Sequence, residues 1–142
     1  MSNEGSKDLA RKLALAEQGD VNSDVLDDLL SHDCVLYPSW SGLDAIKSRY
    51  FEYQAMFNEA IPDRTMTVTD VVAEGDQVVV FRELQGTHTG DFRWRGTSHG
   101  EDVPASGERV QMHFVIRLKV ADGRISFIQN FGNPTEALRR PR

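Results

Sequence analysis

The stretch Val110–Arg139, VQMHFVIRLKVADGRISFIQNFGNPTEALR, decides the fold. In its first part Val110, Met112, Phe114, Ile116, Leu118 and Val120 fall on one face, and Gln111, His113, Val115, Arg117 and Lys119 on the other. Strict alternation of this kind marks a half-buried strand, because successive side chains of an extended chain point to opposite sides. Ala121-Asp122-Gly123 reads as a hairpin turn and Ile125 to Phe131 as the returning strand. Pro134 suits the first turn of a short helix running through Arg139.

The turn admits two lengths with different consequences. A three-residue loop, with Gly123 left-handed as a bulge, sets Ile116 opposite Ile128 and Phe114 opposite Asn130. Asn130 is then the one strongly polar side chain on an apolar face. A two-residue Asp-Gly turn slides the pairing by one and sets Asn130 beside His113, since a one-residue slip exchanges faces.

Upstream, the period-two pattern continues as far as Arg64. Thr65 to Ala73 and Gln77 to Gly86 form a second hairpin about Glu74-Gly75-Asp76. Val78-Val79-Val80-Phe81 is apolar on both faces, which predicts a strand covered from both sides. His88 to Glu108 is a long, polar, Gly-rich connection of the kind that often carries function.

Before Arg64 the period is helical. Ser6 can cap a first helix with the stripe Leu9, Leu13, Ala16, ending at Gly19. Asn22 or Ser23 can cap a second, carrying Val25, Leu26, Leu29 and Leu30. A short strand, Cys34 to Tyr37, precedes a turn over Pro38 to Gly42. A third helix from about Leu43 to Phe57 aligns Ile46, Tyr50, Tyr53 and Phe57 on one face, and Pro62-Asp63 stops it. Helices first and an antiparallel meander after define an α+β class. No repeat or linker divides the 142 residues, which read as one domain spanning 1–142.

A net charge of −6 argues against nucleic-acid or anionic-membrane partners, which need concentrated cationic surface. Cys34 is the single cysteine, so an internal disulfide is impossible; in the run Cys34-Val35-Leu36 it reads as a buried thiol. No segment approaches the roughly 20 apolar residues of a membrane helix, and the opening MSNEGSKD has no apolar signal core. The expectation is a cytoplasmic protein. Phosphate-loop, dinucleotide, zinc-protease and serine-hydrolase motifs are all missing.

The order and spacing of Ile61-Pro62-Asp63, Glu74-Gly75-Asp76, Gly86-Thr87-His88-Thr89-Gly90, Pro104-Ala105-Ser106-Gly107 and Asp122-Gly123-Arg124-Ile125 resemble the SnoaL-like polyketide cyclases of the nuclear transport factor 2-like superfamily. From His113-Phe114 to Leu138-Arg139 the chain is also similar to the phenazine-biosynthesis A/B proteins of that superfamily. The resemblance implies a cone-shaped α+β fold, N-terminal helices packed on a strongly curved sheet, with a hydrophobic ligand held inside. It implies acid–base chemistry without a cofactor, on the pattern of a cyclase or isomerase. The family's acid lies seven residues beyond the hairpin glycine, where this chain has Asn130, and a frequent partner histidine seven residues before it, where this chain has Ile116. An amide only donates and accepts hydrogen bonds near neutral pH, and isoleucine does neither.

Three side chains are therefore the catalytic candidates. Asn130 can polarise a ligand oxygen, or be a buried amide satisfied by backbone. His113 serves if the register turns it inward; its period otherwise puts it in solvent. His88 ends a strand within GTHTG, where a structural hydrogen bond competes with catalysis. Trp40, Tyr53, Phe57, Met112, Phe114, Ile116 and Ile128 are the expected ligand-contacting residues, Trp40 and Tyr53 because each joins a large apolar face to a polar tip. Asp63 and Arg82 are reserve ionisable groups, read more plainly as a turn residue and a sheet-surface charge. His88, Asp91, His99, Glu101 and Asp102 match no metal-ligand spacing, so no metal is expected. Arg93-Trp94-Arg95 suits a lid or a dimer contact. The expected partners are a hydrophobic small molecule and, through the outer sheet face, a second copy of the chain. A ligand-binding or structural module on the same fold is the alternative to an enzyme.

Overall fold

The terminal hairpin lies at the middle of the sheet. The computed structural model describes residues 2–18, 23–38, 45–93 and 102–131. In chain order its elements are α1 (Asn3–Ala16), α2 (Ser23–Leu29), β1 (Leu30–Pro38), β2 (Ala45–Ile46), α3 (Lys47–Ala60), β3 (Thr65–Glu74), β4 (Gln77–Thr87), β5 (Arg109–Ala121) and β6 (Arg124–Phe131). The strands form one curled sheet in the order β2-β1-β6-β5-β4-β3, antiparallel except where β1 runs parallel to β6. This is the α+β cone expected from the sequence.

Helix α1 is capped by Ser2, whose hydroxyl accepts from Gly5 N at 3.0 Å; the expected cap, Ser6, lies inside the helix and is buried. The stripe Leu9, Leu13, Ala16 is buried as α1 packs across β3 and β4. Leu30, expected at the end of α2, opens a β1 longer than the Cys34–Tyr37 segment expected. Helix α3 begins at Lys47 rather than near Leu43 and continues to Ala60, just before Pro62. Cys34 is buried, as its apolar neighbours indicate. The expected helix from Pro134, the side chain of Trp40 and the Trp94-Arg95 pair lie outside the described residues.

Asp122 and Gly123 both have positive φ, 53° and 77°, and Ala121 pairs with Arg124. The turn is therefore the two-residue Asp-Gly kind, not the three-residue loop. On its own that turn would rotate Asn130 to the outer face. Further along, however, Val120 pairs with Ile125 while Lys119 pairs with Phe127, so Ser126 is an extra residue in β6. Two single-residue shifts cancel in facing and add in register. Asn130 stays on the inner face, opposite Ile116 instead of Phe114. A second bulge, at Thr69 in β3, follows from the pairs Val68–Arg82 and Asp70–Phe81. Both bulge hydroxyls donate to the neighbouring strand's carbonyls, Ser126 to Lys119 O at 3.2 Å and Thr69 to Phe81 O at 3.1 Å. Bulges bend a strand and increase its twist, which suits a sheet curled around its core.

The core fills the concave side. Val78 and Val80 of β4 are buried there, but Phe81 is 39% exposed on the convex side, with Val72 at 55% and Phe131 at 43%. The expectation that β4 is covered on both faces fails for the single chain. On its outer face Phe81 is exposed and Val79 half-buried, in line with the polar Gln77, Glu83 and Gln85.

Candidate active site

Between α3 and the concave sheet lies a narrow pocket with about 580 Å³ of empty space, its mouth included. Tyr53 and Phe57 from α3, Phe114 and Ile116 from β5, and Ile128 from β6 supply much of its apolar lining. Phe57 meets the ring of Phe114 edge-on at 6.0 Å and that of Phe92 at 5.3 Å, which fixes its place in the wall. Asn130 brings an amide to this lining, directly across the ladder from Ile116. The two positions that the family resemblance singles out are thus a cross-strand pair on the pocket wall.

Charged groups enter the pocket from elements that sequence reading had assigned to core or surface. Glu17 follows α1, its backbone N–H donating to Leu13 O at 3.1 Å. Gln18 accepts from Met66 N at 3.2 Å, tying this end of the helix to β3. The Glu17 carboxylate is 2% exposed and spans two donors: Tyr50 Oη at 2.5 Å on Oε1 and Arg82 Nη1 at 2.7 Å on Oε2. Burial and the adjacent carboxylate push the Tyr50 phenol well above its ordinary range, so it remains a donor. The Nε of Arg82 is buried and has no hydrogen-bond partner among the described residues. Arg64 lines the same pocket, with Nη1 at 3.2 Å from Asn58 Oδ1 and 3.4 Å from Ile61 O.

Periodicity held the missing signal. Glu17 lies four residues after Leu13 and continues the stripe of Leu9 and Leu13, while Arg82 follows Val78 and Val80 and precedes Leu84 at period two. A charge at a position the pattern reserves for apolar residues points inward.

The other candidates stand elsewhere. Met112 is buried but does not line the pocket. His113 is on the convex face, its side chain 72% exposed and its Nδ1 3.8 Å from Glu83 Oε2. Asp63 accepts from Thr87 N at 2.7 Å and Thr87 Oγ1 at 3.0 Å, closing the end of β4 onto the turn after α3. Those bonds, the backbone one foremost, lower its carboxyl pKa. Among the described residues no three histidine, cysteine or acidic side chains gather as a metal site.

His88 is fully buried beyond the end of β4, outside the pocket lining. Its backbone exchanges hydrogen bonds with Glu108 O and Gly107 N, and Nδ1 stands 3.4 Å from Ser106 Oγ. Burial lowers its pKa, opposed more weakly by the nearby Asp91 carboxylate. A base depressed in the folded state binds fewer protons than in the unfolded chain, so its stabilising contribution is complete above the unfolded value and declines as pH falls below it. Unfolding in urea from about pH 7.5 to about pH 5.5, spanning the ordinary histidine value near 6.5, is expected to show a loss of stability that His88→Gln reduces. Parallel pH profiles for the two proteins would contradict this.

An α+β cone around an apolar pocket is the architecture of the nuclear transport factor 2-like class, to which ketosteroid isomerase-like folds belong. The family model of the SnoaL-like polyketide cyclases matches residues 7–137, and the chain belongs to that family. Comparison with curated proteins finds no match. Solved structures share the fold: a candidate SnoaL-like polyketide cyclase of Jannaschia sp. CCS1 has 22% identity and a TM-score of 0.79 over 99% of this chain and 95% of that one. The candidate hydroxylase AclR of Streptomyces galilaeus has 22% identity and a TM-score of 0.78 over 97% and 82%. IdmH of Streptomyces antibioticus, a candidate polyketide cyclase, has 23% identity and a TM-score of 0.76 over 93% and 94%.

Proposed function

We propose that the protein is a natural-product cyclase or isomerase of the polyketide type, working without a cofactor on a hydrophobic substrate held in the cone. The observation that carries this reading is the position of Asn130, an amide on an otherwise largely apolar wall at the family's acid position. A shaped pocket accelerates ring closure by holding a flexible chain with its reacting atoms together. The amide N–H of Asn130 would stabilise negative charge developing on a carbonyl oxygen as an enolate forms. Because an amide does not exchange protons near neutral pH, proton transfer falls to the substrate's own acidic positions or to water.

Proton exchange at the enolisable carbon of an aryl β-ketoester, followed by NMR, tests the assignment. Asn130→Ala is expected to slow exchange by about 10²–10³, as loss of an oxyanion donor does. Asn130→Asp is expected to introduce a new ionisation into the pH profile. Unchanged rates in both variants would remove Asn130 from the chemistry and leave a binding module on this fold, a reading that Ile116 at the histidine position already favours.

The same proposal takes the protein as a cytoplasmic homodimer, and the exposed Val72, Phe81 and Phe131 on the convex sheet face support a second copy there. Among the described residues no helix is long and apolar enough to cross a membrane. Phe81→Glu is expected to halve the mass measured by light scattering; an unchanged mass would place the interface elsewhere.

A further inference from the structure

Arg82 is 6% exposed and spends one nitrogen on Glu17. Arg82 lines the pocket, and its buried Nε–H has no acceptor among the described residues. A buried donor left unmade is costly, and a charged one more so, which makes this N–H a site that an occupant of the pocket satisfies. The guanidinium is not free to turn away. Glu17 holds it from one side, and Tyr50 fixes the other oxygen of Glu17. Stability alone does not call for the arrangement, because well-packed apolar residues commonly replace a buried ion pair without loss.

The lining also carries two arginines, Arg64 and Arg82, beside one carboxyl group, Glu17, in a chain whose net charge is −6. In the ladder, Arg82 pairs with Phe114, and Ile116 on that same strand pairs with Asn130. Strand spacing then puts the backbones of Arg82 and Asn130 roughly 10–12 Å apart. One molecule can reach both.

We propose that Arg82 Nε is the docking point for an anionic oxygen, so that the ligand is an apolar molecule with a carboxylate or ionised enol at one end and a neutral oxygen on Asn130. This deepens the reading of the pocket given above and rests on it for the placing of the ligand. Glu17 and Tyr50 are positioning residues: they aim the guanidinium and do not themselves touch the anion.

The test is equilibrium binding, independent of turnover. Naphthoate, its neutral isostere naphthamide, and a phenyl-substituted cyclic diketone in its enolate form are titrated into the full chain by calorimetry. At least one of the two anions is expected to bind at least about tenfold tighter than the amide, and comparing the two separates carboxylate from enolate recognition. In Glu17→Gln/Arg82→Met, which removes both charges together, that preference is expected to fall below about threefold. Arg82→Lys, which keeps the charge and lacks the Nε–H, is expected to lose it as well, and serves if the double variant does not fold. Equal binding of all three probes, binding of none, or an anion preference that survives both variants overturns the proposal. Because no rate is measured, a failure here leaves the Asn130 exchange experiment standing, and the reverse also holds.

Discussion

Replacing Arg82 with methionine is expected to lower the unfolding free energy by about 3–5 kcal/mol, the typical cost of breaking a buried ion pair from one side. The loss is not the bond itself. Glu17 is 2% exposed, and without the guanidinium its carboxylate keeps only the Tyr50 hydroxyl as a donor among the contacts described above. A desolvated charge is then left uncompensated in the core. Small domains are stable by about 5–15 kcal/mol, so this single change brings the chain near its unfolding threshold. Glu17→Gln is expected to be costly for the mirror reason, as it strands a buried guanidinium. The double variant Glu17→Gln/Arg82→Met removes both charges and is expected to fall far short of the summed single effects. Equilibrium unfolding in urea measures all three. Single variants within about 1 kcal/mol of wild type, or additive effects in the double, would show that Glu17 and Arg82 are not a coupled buried pair.

Gly90→Ala is expected to destabilise the protein by about 1–3 kcal/mol, and toward the upper end of that range. A Cβ at this position would stand 2.0 Å from the backbone oxygen of Glu59 and 3.0 Å from its carbonyl carbon. Backbone at the end of a packed helix cannot rotate aside as a flexible side chain can. The approach is close because Gly90 N donates to Ala60 O at 3.1 Å, joining the segment after β4 to the end of α3. Gly86, at the other end of GTHTG, is crowded by Ile61, whose Cγ2 would lie 2.3 Å from a Cβ. The motif is therefore a closely packed seam between α3 and β4, the two elements that carry Tyr50, Tyr53 and Arg82 to the pocket. Gly107 provides the contrast. It needs its positive φ of 73° but has open space around it, so Gly107→Ala is expected to cost only about 1–2 kcal/mol of backbone strain. Denaturant midpoints that rank Gly107→Ala as the more damaging change would contradict the seam.

The sequence was most legible where periodicity was strict. The faces of β5 follow from alternation alone, including an inward Ile116 and an outward His113. The helical stripe of Leu9, Leu13 and Ala16 was equally direct. Boundaries were less so: Leu30 reads as one more apolar residue of α2 but begins β1, because pairing with Ile125 of β6 outweighs helix propensity. The cap moved from Ser6 to Ser2 because both positions offer a hydroxyl, and only the packed helix shows which one remains at its end. In the site, Tyr53, Phe57, Phe114, Ile116, Ile128 and Asn130 were all identifiable as pocket residues. Glu17 was not, and Arg82 stood only in reserve, read first as a sheet-surface charge. A charged residue in a helix end or a strand reads as surface when composition is weighed ahead of period.

Asn130 marks the boundary between the two kinds of knowledge. Residue spacing placed it at the family's acid position, and strand alternation limited it to one face or the other. Which face depended on the two-residue Asp122-Gly123 turn before β6 and a bulge at Ser126 within it, two shifts whose effects on facing cancel. Local sequence fixes a period; it does not count the residues a strand absorbs on its way through a curled sheet. The meeting of Glu17, Tyr50 and Arg82 is likewise a tertiary fact. They come from the end of α1, the first turn of α3 and the middle of β4, separated by as many as 65 positions, and only the closed cone brings carboxylate, phenol and guanidinium within hydrogen-bond distance.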